Sequence, residues 1–408
     1  MQKRTIVLLL LVICLSAKAQ YKNDNVSYKT VDPSELCATL EKNKGYLLLD
    51  VRSPGEHNDT SQSTRYNLGH LKGAKNIDVS ELDKRLAELQ SYKDKPVFVY
   101  CSHSQRSRRA SKMLADSGFT KVFNVNGGMT AIYYSGAIEK DCLGALVQSS
   151  NPYHLISANE LCSMLAKQNP PYLLDVRSDS AFRHISRNAK ENADGAFVGT
   201  VNIPFNSLET KLGSLPKDRN IIITDLNGED AAKAAVLLNK NGFRNIEVLI
   251  EGIDRVLSSD EKDLWCKTGY MYQSPVTYKI LSSAEFGRFA KANPGLVLLD
   301  IRTKAEVNNT DSMYWKNIGH LKNSINIPAS ELDANIDKLK MNKDKEIMIY
   351  SFGSGVEIYT AANKLQKAGF TKVNVLAGGI FTLRWTAANI KGQSYLTDFV
   401  EDVPEINW

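Results

Sequence analysis

The sequence predicts an α/β protein of three tandem domains, each built on a doubly wound parallel sheet. The first observation is a repeat: the segments YLLLDVRS, YLLDVRS and VLLDIRT place an aspartate at Asp50, Asp175 and Asp300, at intervals of 125 residues. The second is that short apolar runs bounded by turns alternate with helical patterns, which is typical of parallel strands buried on both faces. A repeat of this length can bury its own core, so each copy is expected to be a complete domain.

Each copy contains the same elements in the same order. The aspartate strand is followed by a turn and a short strand, in GHLKGAKNI, DGAFVGTVNI and GHLKNSINI. A further apolar strand, VFVY, IIIT or IMIY, leads through a loop into an amphipathic helix that ends in SGFTKV, NGFRNI or AGFTKV. The last strand ends at NVNGGM, VLIEGI or NVLAGGI. We therefore predict domains at 20–148, 149–272 and 273–408, the last with an acidic C-terminal tail.

Residues 1–19 have the pattern of a secretory signal peptide. Lys3 and Arg4 form a basic start, an apolar stretch follows, and Ala17-Lys18-Ala19 supplies the small residues of a cleavage site. The apolar stretch is short for a membrane helix, and no other long apolar run follows it, so no membrane span is expected. The sequence predicts an exported protein, periplasmic or secreted.

Charge and histidine content exclude several classes of function. The chain has a formal net charge of +6, and loss of Lys3, Arg4 and Lys18 with the leader leaves +3. That excess is too small to indicate binding to nucleic acid or to a membrane surface. The six histidines are scattered without an HxxxH pair, so no metal site and no cofactor are expected.

Five cysteines remain after the leader, an odd number that leaves at least one thiol unpaired in a single chain. Export permits disulfides. Cys37 and Cys162 occupy the same point of two equivalent helices and are expected to be core thiols. Cys142 and Cys266 also occupy matching places, and a disulfide between them is left open because the sequence does not give their distance.

Cys101 stands directly after an apolar strand and is followed by the cations Arg106, Arg108 and Arg109. A strand, a short loop and a helix leave unpaired backbone N–H groups at the helix start, where the helix dipole adds positive potential. We expect Cys101 to be a thiolate nucleophile there, and Arg106 to bind an anionic substrate through its planar fork. The alternative is an inert buried cysteine.

Four motifs of the first copy resemble the rhodanese, or sulfurtransferase, domain family. They are LLLDVRSPGE at 47–56, GHLKGAKNI at 69–77, CSHSQRS at 101–107 and the pair Gly127-Gly128. The resemblance covers the first repeat nearly whole and extends, weakened, through the other two. It implies an enzyme whose cysteine takes a sulfane sulfur as a persulfide, from a small donor such as thiosulfate, and passes it to a small nucleophilic acceptor.

In this family a six-residue loop holds the persulfide. The resemblance assigns catalysis to Cys101 and Arg106, and substrate binding to five further residues, Ser102, His103, Ser104, Gln105 and Ser107. Ser104 replaces the glycine that is common in mid-loop, so a left-handed backbone and the usual substrate preference are not expected there. The insertion HNDTSQSTRYNL between Glu56 and Gly69 is longer than in the family, and we expect it to overhang the site.

Other residues near the loop leave two interpretations each. His103 fits a substrate contact or a solvent-facing position, and Arg108 and Arg109 fit a solvated helix face or a substrate contact. Asp50 and Arg52 recur in copies without the cysteine, so they are expected to form a structural ion pair. His70 recurs in the third copy as His320 and is also expected to be structural.

The second and third copies lack the chemistry of the first. The second has Asp225 and Asp230 at the positions of the cysteine and Arg106, and we expect two mutually repelling carboxylates in its loop. The third has Ser351, with Val356 at the arginine position and no identifiable base, so no working nucleophile is expected. Both copies are interpreted as structural, regulatory or partner-binding domains.

Two other functions compete with an exported sulfurtransferase. One is a scaffold or persulfide carrier without turnover, which the two altered copies favour. The other is a cysteine phosphatase or arsenate reductase, since related folds use a thiolate and an arginine in one loop. Those loops carry one more residue than the four that separate Cys101 from Arg106, which favours sulfur chemistry.

Overall fold

The computed structural model describes residues 27–135, 142–262, 264–267 and 271–404. The predicted leader at 1–19 lies outside the described residues. The described chain contains three parallel five-stranded sheets, one in each repeat, with a hydrophobic core and helices on each face. This arrangement confirms the predicted class of three tandem α/β domains.

The first sheet shows why its strands are continuous apolar runs. Within Val97–Tyr100, Phe98 and Tyr100 enter one core cluster whereas Val97 and Val99 enter the other. Successive side chains of a strand point to opposite faces, so a strand buried on both faces must be apolar throughout. In spatial order the strands are Lys29–Val31, Val122–Val125, Val97–Tyr100, Leu47–Asp50 and Lys75–Asn76. The helices and 3-10 segments are Pro33–Lys42, Pro54–His57, Thr64–Tyr66, Asp83–Tyr92, Gln105–Asp116, Gly128–Tyr134 and Leu143–Leu146.

The second sheet has the same strand order as the first. Its strands are His154–Ile156, Ile246–Leu249, Ile221–Thr224, Tyr172–Asp175 and Val201–Asn202. Its helices and 3-10 segments are Ala158–Leu165, Asp179–Phe182, Ala189–Ala193, Phe205–Leu208, Glu209–Ser214, Glu229–Lys240, Gly252–Ser258 and Trp265–Lys267.

The third sheet repeats this order again. Its strands are Lys279–Leu281, Val373–Leu376, Ile347–Tyr350, Val297–Asp300 and Ile325–Asn326. Its helices and 3-10 segments are Ser283–Ala292, Lys304–Val307, Tyr314–Lys316, Ala329–Glu331, Leu332–Asn335, Ile336–Asn342, Val356–Lys367, Gly379–Asn389 and Ser394–Phe399.

A short antiparallel pair fastens the end of each domain to the turn before its short sheet strand. The pairs are His70–Leu71 with Val147–Gln148, Ala196–Phe197 with Tyr272–Gln273, and His320–Leu321 with Val400–Glu401. The first pair requires Gly69, which has a φ of 68° and would place an added Cβ 2.5 Å from the carbonyl oxygen of Gln148. No other residue fits so close to the partner backbone.

Asp50 and Arg52 form a fully buried ion pair, with 2.7 Å between Nη2 and Oδ2. The same Nη2 donates a hydrogen bond to the carbonyl of Gly69 at 2.6 Å. Burial acts to raise the pKa of Asp50, but hydrogen bonds from His57 and Arg52 outweigh it and hold the pKa at about 2. Equivalent pairs join the aspartates and arginines of the other two domains, so the pair is structural, as predicted.

The cysteines pair within domains, which corrects the sequence analysis. Cys37 is bonded to Cys142 and Cys162 to Cys266, so the first member of each pair is not a free core thiol and Cys142 does not bond Cys266. Cα atoms 5.9 and 5.5 Å apart in the two pairs are within the range for a disulfide. Cys101 is the free cysteine of the described residues.

The insertion of the first domain docks on the second domain. The Glu229 carboxylate accepts hydrogen bonds from the backbone N–H groups of Thr64, at 3.1 Å, and Arg65, at 3.3 Å. The Thr64 hydroxyl donates in return to the carbonyl of Glu229 at 2.7 Å. Glu229 begins the helix that follows the altered loop of the second domain, so the insertion covers that loop.

The third domain contacts both of the others. The Arg108 guanidinium donates to the carbonyl of Ala388 at 3.2 Å, and the Asn126 amide donates to the carbonyl of Asn389. On the other side, Ala193 of the second domain packs into the core of the third. The Cys101 loop is therefore carried by a domain that both neighbours touch.

Asp194, beside Ala193 at this junction, is fully buried, and neither carboxylate oxygen has a hydrogen-bond partner among the described residues. Burial and then the negative charge of Asp254 raise its pKa to about 7, against the opposing charges of Lys190 and Arg177. The folded state thus binds this proton more tightly than the unfolded chain, whose aspartate pKa is near 3.9. Stability is therefore lost as the pH rises from about 4 to about 7.

The loss of folding stability that Asp194 causes between about pH 4 and pH 7 is at most about 4 kcal/mol, and we expect Asp194→Asn to remove most of it. Urea unfolding at pH 5 and pH 8 should show a smaller difference for the variant than for the wild type. Asp225, whose pKa is also raised, adds a loss of the same sign to both proteins and cancels in the comparison. Identical pH dependence in the two proteins would contradict the prediction.

Among the described residues, no helix combines the length and the apolar character needed to cross a bilayer.

Candidate active site at the Cys101 loop

The candidate site is the loop that joins the strand Val97–Tyr100 to the helix Gln105–Asp116. Cys101 stands at the carboxyl end of the central strand and is 1% exposed. The backbone N–H of Ser104 donates to its Sγ at 3.2 Å, and the Ser107 hydroxyl lies 3.5 Å from the same sulfur. The loop thus directs one backbone N–H at the sulfur, as is expected at a helix start, while the Ser107 hydroxyl accepts from the thiol.

Ser104 adopts the left-handed backbone that was not expected of it, with a φ of 88°. The equivalent Gly228 of the second domain has the same φ, so the loop shape is kept despite the substitution. The Ser104 hydroxyl accepts a hydrogen bond from the N–H of Gly127 and lies 3.4 Å from Oδ1 of Asn126. These contacts offset a conformational cost of about 1–3 kcal/mol for a residue other than glycine.

The pair Gly127-Gly128 lets the start of the next helix pack against the backbone of the Cys101 loop. The N–H of Met129 donates to the carbonyl of Cys101 at 2.8 Å, and that of Thr130 to the carbonyl of Ser102 at 3.1 Å. A Cβ on Gly128 would lie 2.1 Å from the Cys101 carbonyl oxygen, so only glycine permits this approach. The motif therefore fixes the position of the cysteine backbone.

Arg106 is bound by a carboxylate of its own domain. Its Nη1 donates to Oε2 of Glu56 at 2.6 Å and its Nη2 to Oε1 at 2.7 Å. Nη2 also donates to the Ser102 hydroxyl at 2.9 Å. Burial acts to raise the pKa of Glu56, but the hydrogen bonds and charge of Arg106 lower it below its usual value, and Glu56 in turn raises the pKa of Arg106.

His103 is bound by a carboxylate of the second domain. Its Nε2 lies 3.0 Å from Oε1 of Glu251 and 3.2 Å from the Thr130 hydroxyl. Although burial acts to raise the pKa of Glu251, the contact with His103 lowers it, so the carboxylate is ionised. His103 thus forms an interdomain contact at the edge of the site, and its contact with substrate stays a prediction.

An open cavity of about 420 Å³ lies over the sulfur. Ser61 and Tyr66 of the insertion line it, so the insertion does overhang the site. Tyr66 also packs edge-on against His103, with ring centroids 6.2 Å apart. The other lining residues are Glu56, Cys101, Ser102, His103, Gln105 and Arg106.

Two of the residues predicted to bind substrate do not line the cavity. Ser104 and Ser107 are buried beneath the loop, and the Ser107 hydroxyl lies 2.7 Å from Oδ1 of Asn124. They therefore hold the loop and the sulfur, unlike Ser102, His103 and Gln105, which do line the cavity. Burial follows from helical geometry, which turns Ser107 toward the sheet.

Arg108 and Arg109 also lie outside the cavity lining. Arg108 is half-buried against the third domain, and burial lowers its pKa. Arg109 is exposed.

The loop of the second domain carries its own anion. The Asp225 carboxylate accepts hydrogen bonds from the N–H groups of Gly228, Asp230, at 2.7 Å, and Ala231, at 3.2 Å. Burial raises the pKa of Asp225 to about 6 against these hydrogen bonds. Of the two carboxylates expected in the loop, only Asp225 lies among the N–H groups. The Asp230 side chain is half exposed and lies 3.0 Å from Nζ of Lys233, but its negative charge still acts to raise the pKa of Asp225, as expected, with a smaller effect than burial.

The loop of the third domain is also occupied by a carboxylate. The Ser351 hydroxyl donates to Oε1 of Glu357 at 2.9 Å, a potential base that the sequence analysis missed. A Cβ on Gly355 would lie 2.1 Å from the other carboxylate oxygen, so Glu357 fills the turn. Val356 still supplies no cation there.

Sequence reasoning also missed the roles of Glu56 and Glu251. Glu56 is in the motif DVRSPGE, where it completes a capping box with Ser53. Glu251 stands at the place of the first glycine of the pair, with a φ of 60°. A carboxylate in place of that glycine was the available signal. Within the described residues no cluster of histidine, cysteine or carboxylate side chains could hold a metal ion.

Comparison with known proteins gives one family. The model of the Rhodanese-like domain matches residues 32–134, 157–259 and 287–384, well over half of the chain. Each match contains four of the five strands of one sheet.

Two relatives and one solved structure illustrate the similarity. The protein YqhL of Bacillus subtilis (strain 168) is 36% identical over 110 residues, 27% of this chain and 76% of that protein. Thiosulfate sulfurtransferase GlpE of Pseudomonas putida (strain KT2440) is 31% identical over 98 residues, 24% of this chain and 77% of that protein. The crystal structure of a thiosulfate sulfurtransferase from Pseudomonas aeruginosa has a TM-score of 0.24 at 18% identity, over 86% of this chain and 66% of that one.

Proposed function

Because this chain belongs to the rhodanese-like domain family, we propose that it is an exported sulfurtransferase that uses Cys101 as its nucleophile. It moves a sulfane sulfur from a small donor, such as thiosulfate, to a nucleophilic acceptor. The observation that carries the proposal is the free thiol of Cys101 beneath an open cavity, with a backbone N–H directed at its sulfur. The relative named thiosulfate sulfurtransferase supports the reaction class.

The reaction has two half-reactions. The Cys101 thiolate attacks the sulfane sulfur, a new S–S bond forms at Cys101, and the electron pair of the broken bond leaves with the donor, as sulfite in the case of thiosulfate. The acceptor then attacks the outer sulfur of the persulfide, and that electron pair returns to Cys101. The protein ends in its initial oxidation state.

The equivalent loop of the second domain supports the proposal that the Cys101 loop binds a persulfide. The carboxylate oxygens of Asp225 stand one bond beyond the atom that corresponds to a cysteine sulfur, as the outer sulfur of a persulfide does. Three backbone N–H groups bind them there. A loop of the same shape in the first domain would stabilise a negatively charged persulfide in the same way.

Export is supported by the leader pattern at 1–19 and by the disulfides Cys37–Cys142 and Cys162–Cys266. Disulfides persist in oxidising compartments such as the periplasm and the extracellular space. The second and third domains are not catalytic in this proposal. They hold the first domain and contribute Glu251 at the edge of its site.

The test is persulfide formation on the full mature chain. After incubation with thiosulfate or with glutathione persulfide, the intact mass should rise by one sulfur, about 32 Da, and peptide mapping should place it on Cys101. Addition of a thiol or cyanide should return the mass and release the sulfur over many cycles. Loading without repeated turnover would instead indicate a persulfide carrier. No loading from either donor, or loading elsewhere, would overturn the proposal.

A further inference from the structure

The cations at the mouth of the site already have carboxylate partners. Both terminal nitrogens of Arg106 bind Glu56, in the two-point geometry that an anionic donor would itself need. Glu56 is buried and is held additionally by the hydroxyl and the N–H of Ser53, so it is a fixed part of the wall.

The second potential cation of the site, His103, is also paired with a carboxylate. His103 is held by Glu251, which the second domain supplies, and Nε of Arg255 lies 3.8 Å from the other carboxylate oxygen. Of the residues that line the cavity, all of them described, Arg106 and His103 are the only potential cations. Both side chains therefore have a carboxylate partner before any donor enters.

Two arginines near the cavity, Arg108 and Arg65, do not supply it with a free cation. Arg108 is outside the lining, behind the loop, where its guanidinium donates to the carbonyl of Ala388 in the third domain. Arg65 is exposed on the insertion, its guanidinium 4.8 Å from the centre of the Tyr66 ring. At that position solvent screens its field.

The remaining lining suits an organic group. Tyr66 offers an aromatic face, and the hydroxyls of Ser61 and Ser102 and the amide of Gln105 offer neutral hydrogen bonds. A volume of about 420 Å³ lies in the range of sites for small organic ligands. A dianion would find no free cation there, and its departing charge would meet the Glu56 carboxylate.

We propose that the sulfur donor is a low-molecular-weight organic persulfide, R–S–SH, in preference to thiosulfate, and that Glu56 determines this preference by occupying Arg106. The inference rests on the proposed sulfurtransferase function and names its donor class. Glu251 of the second domain also disfavours thiosulfate, because it occupies His103.

The step balances in atoms and charge. The Cys101 thiolate attacks the outer sulfur of R–S–SH and forms Cys101–S–S–H, while the bond between the two donor sulfurs breaks and its electron pair leaves as R–S⁻. One negative charge is present before and after, on the enzyme sulfur and then on the leaving thiolate. With thiosulfate the leaving sulfite carries two negative charges, for which the cavity has no free cation.

The test compares loading rates of Cys101 by quenched mass spectrometry. For the wild type, kcat/KM for glutathione persulfide should exceed that for thiosulfate at least about tenfold, the size of one charge-assisted hydrogen bond. Glu56→Gln keeps the shape but frees the charge of Arg106. This variant should raise kcat/KM for thiosulfate about tenfold, mainly through a lower KM. Its kcat/KM for the persulfide should stay within about twofold of the wild-type value.

Glu306→Gln is the matched control. Glu306 has the same place in the third domain, with a capping box to Thr303 and a similarly buried side chain, but no cysteine faces it. That variant should leave both donor rates unchanged. If Glu56→Gln does not fold, Glu251→Gln removes a more distant carboxylate and should raise the thiosulfate rate about threefold, since solvent screens more of its field.

The results separate the two proposals. Equal wild-type rates for the two donors, or no gain with thiosulfate in a folded Glu56→Gln, would overturn the donor inference and leave the sulfurtransferase intact. Absence of loading from both donors in the wild type would overturn both.

Discussion

Replacing Cys101 by serine should reduce sulfur transfer by at least about a thousandfold, the scale expected for loss of a covalent nucleophile. A serine hydroxyl cannot form a persulfide and is a much weaker nucleophile than a thiolate. The measurement is turnover with both donors, together with the intact mass, which should show no added sulfur.

The fold should tolerate this change. The third domain carries Ser351 at the equivalent position, where it is buried and hydrogen-bonded. In the variant, the N–H of Ser104 and the hydroxyl of Ser107 are available as partners for the new hydroxyl. We expect a change in unfolding free energy within about 1 kcal/mol. A variant that is folded and retains a tenth of wild-type turnover would exclude Cys101 as the nucleophile.

Removing the disulfide of the first domain should cost about 4.7 kcal/mol of stability, the loop-entropy value for a closed loop of about 100 residues. Cys37 and Cys142 are 105 residues apart, so their bond restricts nearly the whole domain in the unfolded state. The double variant Cys37→Ala with Cys142→Ala should unfold at lower urea concentration. The pair Cys162→Ala with Cys266→Ala should do the same for the second domain.

The chain contains its own control for this prediction. The sequence from residue 273 onward has no cysteine, so a reducing agent should destabilise the third domain less than it destabilises the first two. Cys101 is in neither pair, so sulfur loading should persist wherever the double variant remains folded. An unfolding curve of the wild type that does not move on reduction would contradict the two disulfides.

The three loops together suggest one physical rule for this protein. Each has an acidic or anionic group at the same place: the sulfur of Cys101, the carboxylate of Asp225, and Glu357 beside Ser351. In the first domain this group is a thiol that lies beneath a cavity and can react with a substrate. In the other two domains it is a carboxylate held by hydrogen bonds. The second domain keeps the loop shape after losing the nucleophile, since Gly228 has the φ of 88° found at Ser104, whereas the helix of the third domain begins after Gly355, whose φ is −73°.

The sequence by itself determined the fold class, the order of elements and the identity of the loop. Short continuous apolar runs bounded by turns indicate strands buried on both faces, and three copies of one pattern indicate three similar sheets. The place of Cys101 between a strand and a helix is equally local, because neighbouring residues define it. The leader at 1–19 and the roles of the site residues stay predictions.

Only the tertiary structure decided which charges and which cysteines meet. Arg106 binds a glutamate 50 residues away, His103 binds one 148 residues away in another domain, and each disulfide joins cysteines more than 100 residues apart. The left-handed Ser104 depends in the same way on the distant Asn126 and Gly127. Such contacts follow from how whole elements pack, and local sequence patterns do not encode the distance between two elements. For that reason the sequence could identify the nucleophile, whereas the balance of charge around it became visible only in the folded chain.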